Sequence, residues 1–254
     1  YAAYRGLKMI FAVFVVLVVG ALLAAICIAP SAHAAMPIHH ATFRATAWNE
    51  KSFPRMSHAK YVHDLDSPAS GWVKSPGLVW LGSEWNRQTG EVPLIRAYAH
   101  SHEMRYLGVH DAGMVLRKVP RLHVGGSFSK VFHPSLGHHS PERWYTKTWG
   151  RIDGFPVTFI ATHLTQGCAG PRSHQVLRCR ANAEERSRLR GGVAYAHHNG
   201  RTVIIGGDMN RNPLIVWGAR QAAIRPVTLM QIAVVPAAGV TAHVDHVHVV
   251  SRLN

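Results

Sequence analysis

The apolar and polar positions divide this chain into an apolar head and a body in which short β-branched runs alternate with polar connections. Six runs in the body have the composition of strands: Thr42–Trp48, Leu78–Leu81, Gly113–Arg117, Pro156–Thr162, Thr202–Ile205 and Val244–Val250. Val, Ile, Thr and aromatic residues bounded by Gly, Pro, Asn and Asp are what a pleated, half-buried surface selects. Ala181–His198 has helical composition and ends at Asn199-Gly200, a good stop signal. A second helix is expected over Met56–Leu65. Val119–Tyr145 is rich in Gly, His and Pro and reads as a long loop with short strands, the kind of segment that often binds ligands. No internal repeat or low-complexity tract interrupts this mixed pattern, which predicts an α/β domain.

The head has the layout of an export signal. Arg5 and Lys8 precede an uncharged run from Met9 to Ala29, followed by Pro30 and Ser31-Ala32-His33-Ala34-Ala35. Ala32 and Ala34 fit the small-x-small cleavage pattern, so residues 1–34 are expected to be a signal peptide cut after Ala34. The run is also long enough to span a bilayer, and an uncleaved membrane anchor is the alternative. Either outcome predicts a secreted or extracytoplasmic protein, or one anchored at the membrane. Cleavage would remove Cys27 and leave Cys168 and Cys179, which in an oxidising compartment read as a disulfide and otherwise as two buried thiols.

Charge adds a class of partner. Lys and Arg number 28 against 13 acids, a formal net charge of +15. Such a surplus attracts polyanions and anionic membranes, and counterion release strengthens binding to a phosphate backbone. A basic surface with no particular partner is the plainer reading.

With so few acids, their positions carry information. Asn49 follows Thr42–Trp48, Glu84 follows Leu78–Leu81 and Gly82-Ser83, and His163 follows Val157–Thr162. Asp208 and Asn210 follow Thr202–Ile205 and Gly206-Gly207, and Asp245-His246 lies in an apolar run near the C-terminus. Strand ends hold side chains in fixed positions beside loops open to solvent. Carboxylate and amide oxygens suit a hard divalent cation, and histidines add proton transfer. The sequence contains no Gly-x-Ser-x-Gly elbow, phosphate-binding P-loop, His-Glu-x-x-His or Cys-x-x-Cys pattern.

Trp48-Asn49, the run ending in Glu84, Thr162-His163-Leu164, Gly207-Asp208-Met209-Asn210 and Val244-Asp245-His246-Val247 together resemble the motif series of the endonuclease/exonuclease/phosphatase superfamily, whose members include deoxyribonuclease I-like enzymes. The resemblance runs from about Thr42 to Val250. It implies a deoxyribonuclease I-like four-layer α/β sandwich over residues 38–254, with two packed, mainly antiparallel or mixed sheets flanked by helices. It implies Glu84 as principal metal ligand with Asn49 and Asp245, for Mg²⁺ or Mn²⁺. It also implies His246 as general base or phosphate-stabilising group beside Asp245, Asp208 positioning water or the leaving group, and Asn210 and His163 on the phosphoryl oxygens.

Two departures stand out. Arg211–Val244 contains no Asp or Glu, so the acid that orients the family's general-base histidine has no counterpart before His246. Some family nucleases pair the histidine of Thr-His-Leu with an upstream acid, and Glu103 is the candidate for that place. Arg143, Trp144, Tyr145 and Lys147 form the best candidate nucleic-acid-binding patch. Arg178, Arg180, Arg186, Arg188 and Arg190 read either as a track for phosphates or as a solvated face. The expected function is an exported, metal-dependent phosphodiesterase acting on DNA or RNA. The alternatives are a sphingomyelinase-like phospholipid phosphodiesterase and a non-catalytic polyanion-binding protein with a decayed site.

Overall fold

A computed structural model describes residues 39–49, 78–83, 91–109, 111–132, 142–166, 173–210, 217, 222–227, 230–237 and 240–251. The head, the segment expected as a helix over Met56–Leu65, Glu84 and Cys168 lie outside the described residues. Among the described residues, no helix is long and apolar enough to cross a membrane.

Five strands form the first sheet: β1 (His39–Asn49), β2 (Val79–Ser83), β3 (Met104–Val109), β4 (Ala112–Arg117) and β11 (Val240–Ser251). Their spatial order is β11-β1-β2-β4-β3. β1 is parallel to β11 and to β2, whereas β4 is antiparallel to both β2 and β3. The second sheet holds β5 (Leu122–Val131), β6 (Trp144–Ile152), β7 (Phe155–His163), β8 (Thr202–Asp208), β9 (Ala222–Val227) and β10 (Met230–Val235). Its order is β5-β6-β7-β8-β10-β9, antiparallel except where β7 and β8 run side by side in parallel. Helix α1 (Glu91–Ser101) follows β2, and helix α2 (Ser173–His198) makes the crossover from β7 to β8 that a parallel pair requires.

Alternation along the strands sorts the core into layers. Val79, Leu81, Met114 and Leu116 of the first sheet pack against Val157, Phe159, Ala161, Ile204, Ile232 and Val234 of the second. On the outside of the first sheet, Trp80 and Val115 meet Val92, Ile95, Tyr98 and Ala99 of α1. On the outside of the second, Ile160, Val203 and Ile205 meet Leu189, Val193 and Ala196 of α2. The result is the expected four layers: helix, sheet, sheet, helix.

All six expected strands form, with ends shifted by a few residues, and α2 begins eight residues before the expected Ala181. Val119–Tyr145 was expected as a long loop with short strands, and ten of its residues form the single strand β5. β5 is an edge strand with an irregular register between Val124 and Gly126, and its polar, Gly-containing run hides the alternation that reveals a strand. α1, β3, β6, β9 and β10 were not expected.

Candidate active site at the strand ends

The register brings several candidates to one end of the two sheets. Asn49, the last residue of β1, pairs with Ser83, the last residue of β2. Ser83 in turn pairs with Ala112, the first residue of the antiparallel β4, and Asp111 immediately precedes it. In the second sheet His163 ends β7 opposite Asp208, which ends β8.

A polar cluster joins the two sheets here. His163 is buried, and its Nδ1 lies 2.7 Å from Asp111 Oδ1 and 2.9 Å from Arg143 Nη1. Arg143 Nη1 donates to both carboxylate oxygens of Asp111 at 3.2 Å. Burial pushes the Asp111 carboxyl up, but the charges and hydrogen bonds of His163 and Arg143 outweigh it and hold the group below its ordinary pKa. An ionised Asp111 accepts the Nδ1–H of His163, which leaves Nε2 as the ring atom free for chemistry. Neither His163 Nε2 nor Arg143 Nε has a hydrogen-bond partner among the described residues.

The loops after β7 and β8 are latched to each other. Leu164 N–H donates to the Asp208 carbonyl at 2.9 Å, and Asn210 Nδ2 donates to the Leu164 carbonyl at 2.7 Å. The Asn210 N–H donates to Asp208 Oδ1 at 2.8 Å and fixes the carboxylate in an Asx turn. Asn210 holds φ +47°, a left-handed conformation that Asn tolerates better than most residues. Gly207 is at φ +135°, and a Cβ there would stand 1.9 Å from the Thr162 carbonyl oxygen, so only glycine lets β8 approach β7 this closely.

α2 supports the same loops from behind. The fully buried Glu185 accepts from Thr165 N at 2.7 Å and from Thr165 Oγ1 at 2.6 Å. Asn182 Nδ2 donates to the carbonyls of Thr165 and Met209. No sequence pattern marks either residue. Both lie inward on a helix whose charged composition reads as a solvated face.

Several expectations are corrected. The acid paired with His163 is Asp111, while Glu103 is exposed in the turn between α1 and β3. Arg143, Trp144, Tyr145 and Lys147 do not form one patch: along β6 Trp144 points to the face opposite Tyr145 and Lys147, and Arg143 precedes the strand. Arg143 is buried against Asp111, Tyr145 packs beside Phe132, and Lys147 lies over the Tyr195 ring. On α2, Arg186 donates to Asn182 Oδ1 and Arg188 to the Phe132 carbonyl, so each of these two is tied to the fold by one of its donors. Asp245 and His246 stand opposite the single residue Arg44, where the β1–β11 register shifts. That level is five residues before Asn49, about 16 Å of strand at 3.3 Å per residue. The register therefore does not bring these two to the strand ends with the others. The partner of Cys179 on α2 was expected to be Cys168, which is outside the described residues.

Asn49 and the chain leading into Glu84 are the remaining candidates for a metal, and both offer hard oxygen donors. Among the described residues, no group of three His, Cys, Asp or Glu side chains could hold a metal ion.

No protein-family model matches the chain, and no curated protein sequence matches it. Solved structures do. TDP2 from Caenorhabditis elegans is 13% identical with a TM-score of 0.51, over 77% of this chain and 63% of that one, so the match spans less than two thirds of that chain. TDP2 from D. rerio, solved in complex with a single-strand DNA product, is 14% identical with a TM-score of 0.53 over 78% and 84% of the two chains. An endonuclease/exonuclease/phosphatase family protein from Bacteroides thetaiotaomicron is 11% identical with a TM-score of 0.55 over 77% and 82%. At these identities the likeness is one of fold.

Proposed function

We propose that this chain, which has the deoxyribonuclease I-like fold of the endonuclease/exonuclease/phosphatase superfamily, is a divalent-metal-dependent phosphodiesterase acting on nucleic acid. One observation carries the reading: Asp111, Arg143, His163 and Asp208, drawn from both sheets, meet at one end of the sandwich. With Nδ1 committed to Asp111, His163 presents Nε2 to a phosphoryl oxygen, where it holds or passes a proton. Arg143 adds a buried positive charge beside it. Asp208, fixed by the Asn210 N–H, orients the attacking water or assists the leaving group. Asn210 spends one amide hydrogen on Leu164 and keeps the other for the phosphoryl group.

Asn49 and Glu84 are the residues assigned to Mg²⁺ or Mn²⁺, which supplies charge neutralisation at the phosphoryl group when bound. Nucleic acid as substrate is supported by the net charge of +15 and by the DNA product bound to the D. rerio protein of the same fold. Export through residues 1–34 belongs to the same reading.

The test is nicking of supercoiled plasmid by the full chain with Mg²⁺, with Mn²⁺ and with EDTA, beside release of headgroup from sphingomyelin vesicles. Metal-dependent nicking is expected, with His163→Ala and Asp208→Asn each lowering kcat by about 10²–10³. His246→Ala is expected to stay within a few-fold of the parent, because of its place along β11. Turnover of sphingomyelin without nicking would replace nucleic acid by a phospholipid as substrate. Salt-dependent DNA binding without cleavage under any divalent ion would leave only a polyanion-binding protein.

A further inference from the structure

A groove of about 410 Å³ lies on the outer face of the second sheet, between the last turn of α2 and strands β5 and β6. Its size falls in the range of small-molecule sites. Its floor is Trp149, whose indole lies flat over the β5 backbone: a Cβ on Gly126 would stand 2.3 Å from the ring. Phe128 leans on this indole with centroids 6.2 Å apart, and Tyr195 of α2 forms the opposite wall. Phe128 and Tyr195 are exposed by 41% and 69%, too much surface for rings that serve only the core.

Two cations share the groove with these rings. Lys147 Nζ lies 5.8 Å from the Tyr195 ring centroid, and Arg201 enters from the turn after α2. No acid forms an ion pair with either among the described residues. Burial, and then the Arg201 charge, hold the Lys147 ammonium below its ordinary pKa, so the pair lacks an anion. A third group points the same way. Thr158 lines the groove, and its hydroxyl is buried with no hydrogen-bond partner among the described residues. A buried hydroxyl is normally satisfied, and a ligand oxygen would satisfy this one.

The groove is separate from the strand-end cluster. Thr158 precedes His163 by five residues on β7, about 16 Å along the strand, and the two side chains point to opposite faces of the sheet. We infer that this groove is a second, non-catalytic binding site for a nucleoside monophosphate, its base stacked among Trp149, Phe128 and Tyr195 and its phosphate held by Lys147, Arg201 and Thr158. Aromatic faces accept any base, and two adjacent cations suit one phosphate.

Calorimetric titration of the full chain with AMP, in EDTA to silence any hydrolysis, tests the inference. Saturable binding is expected, with adenosine and inorganic phosphate each at least tenfold weaker, since each keeps only half of the recognition. Lys147→Ala/Arg201→Ala should weaken AMP by tenfold or more, and Thr158→Val should weaken it without altering the fold seen by circular dichroism. His163→Ala should leave AMP affinity unchanged. Loss of AMP binding in His163→Ala would place the ligand at the strand ends and overturn the inference. Unchanged affinity in the double variant, or no saturable binding in the parent, would overturn it equally.

Discussion

Asp111 is where burial and charge compete most directly. Its carboxyl is held below the ordinary value, so the ionised form stabilises the fold. That contribution is complete above the unfolded value of about 3.9 and is lost as pH falls through the folded value. Asp111→Asn strands Arg143 without its counter-ion, and a loss on the order of 3 kcal/mol at pH 7 is expected in urea unfolding. Below about pH 4 the gap between parent and variant should narrow, because the unfolded parent then takes up a proton at Asp111 that the folded state, with its lowered pKa, still refuses. A gap that stays constant down to pH 3 would mean that the carboxylate contributes no charge. The same variant frees the His163 ring, and kcat should fall by about 10–100-fold with KM little changed. Asp111 was legible in principle. A polar residue after an apolar run marks the end of a strand, and strands that run in parallel end at the same edge. Asp111 and Arg143 precede β4 and β6, which run antiparallel to β2 and β7, so their beginnings share the edge where the others end.

At the scale of elements, burial decided what could be read. β2 and β8 are buried along their whole length and β7 along most of it, and such strands appear as continuous apolar runs. β5 alternates half-buried and exposed positions with Gly and Ser, and its strand signal is correspondingly weak. α1 is eleven residues long with Pro93 in its first turn, and only Val92, Ile95 and Tyr98-Ala99 mark its buried face. Two element-level predictions follow from the β7–β8–α2 unit. Gly207→Ala forces a Cβ into the Thr162 carbonyl, and a loss of about 3 kcal/mol or failure to fold is expected, read as a lowered Tm. Glu185→Gln cannot accept from both Thr165 N and Thr165 Oγ1 with the same strength, and a cost of about 1–3 kcal/mol is expected. Wild-type stability in Glu185→Gln would show that α2 does not brace the loop after β7.

For the whole molecule, the four layers and their order were legible, because the motif series carries its fold with it even where single elements are hidden. The surplus of 28 basic residues over 13 acids predicts how association depends on salt. The apparent DNA affinity should fall linearly with the logarithm of salt concentration, with a slope of about −0.9 per phosphate neutralised on duplex DNA. A flat dependence in a fluorescence-anisotropy titration would assign the net charge to solubility alone.

The cluster of Asp111, Arg143 and His163 is shared between the two sheets, and neither sheet contains it alone. Its members are contributed by segments 20 to 52 residues apart in sequence. A chain in which each sheet has formed but the two have not yet closed upon one another would give the circular dichroism of a folded protein and no turnover. Recovery of catalysis after dilution from urea should therefore trail recovery of β-structure, and the interval between them would time the meeting of the two halves.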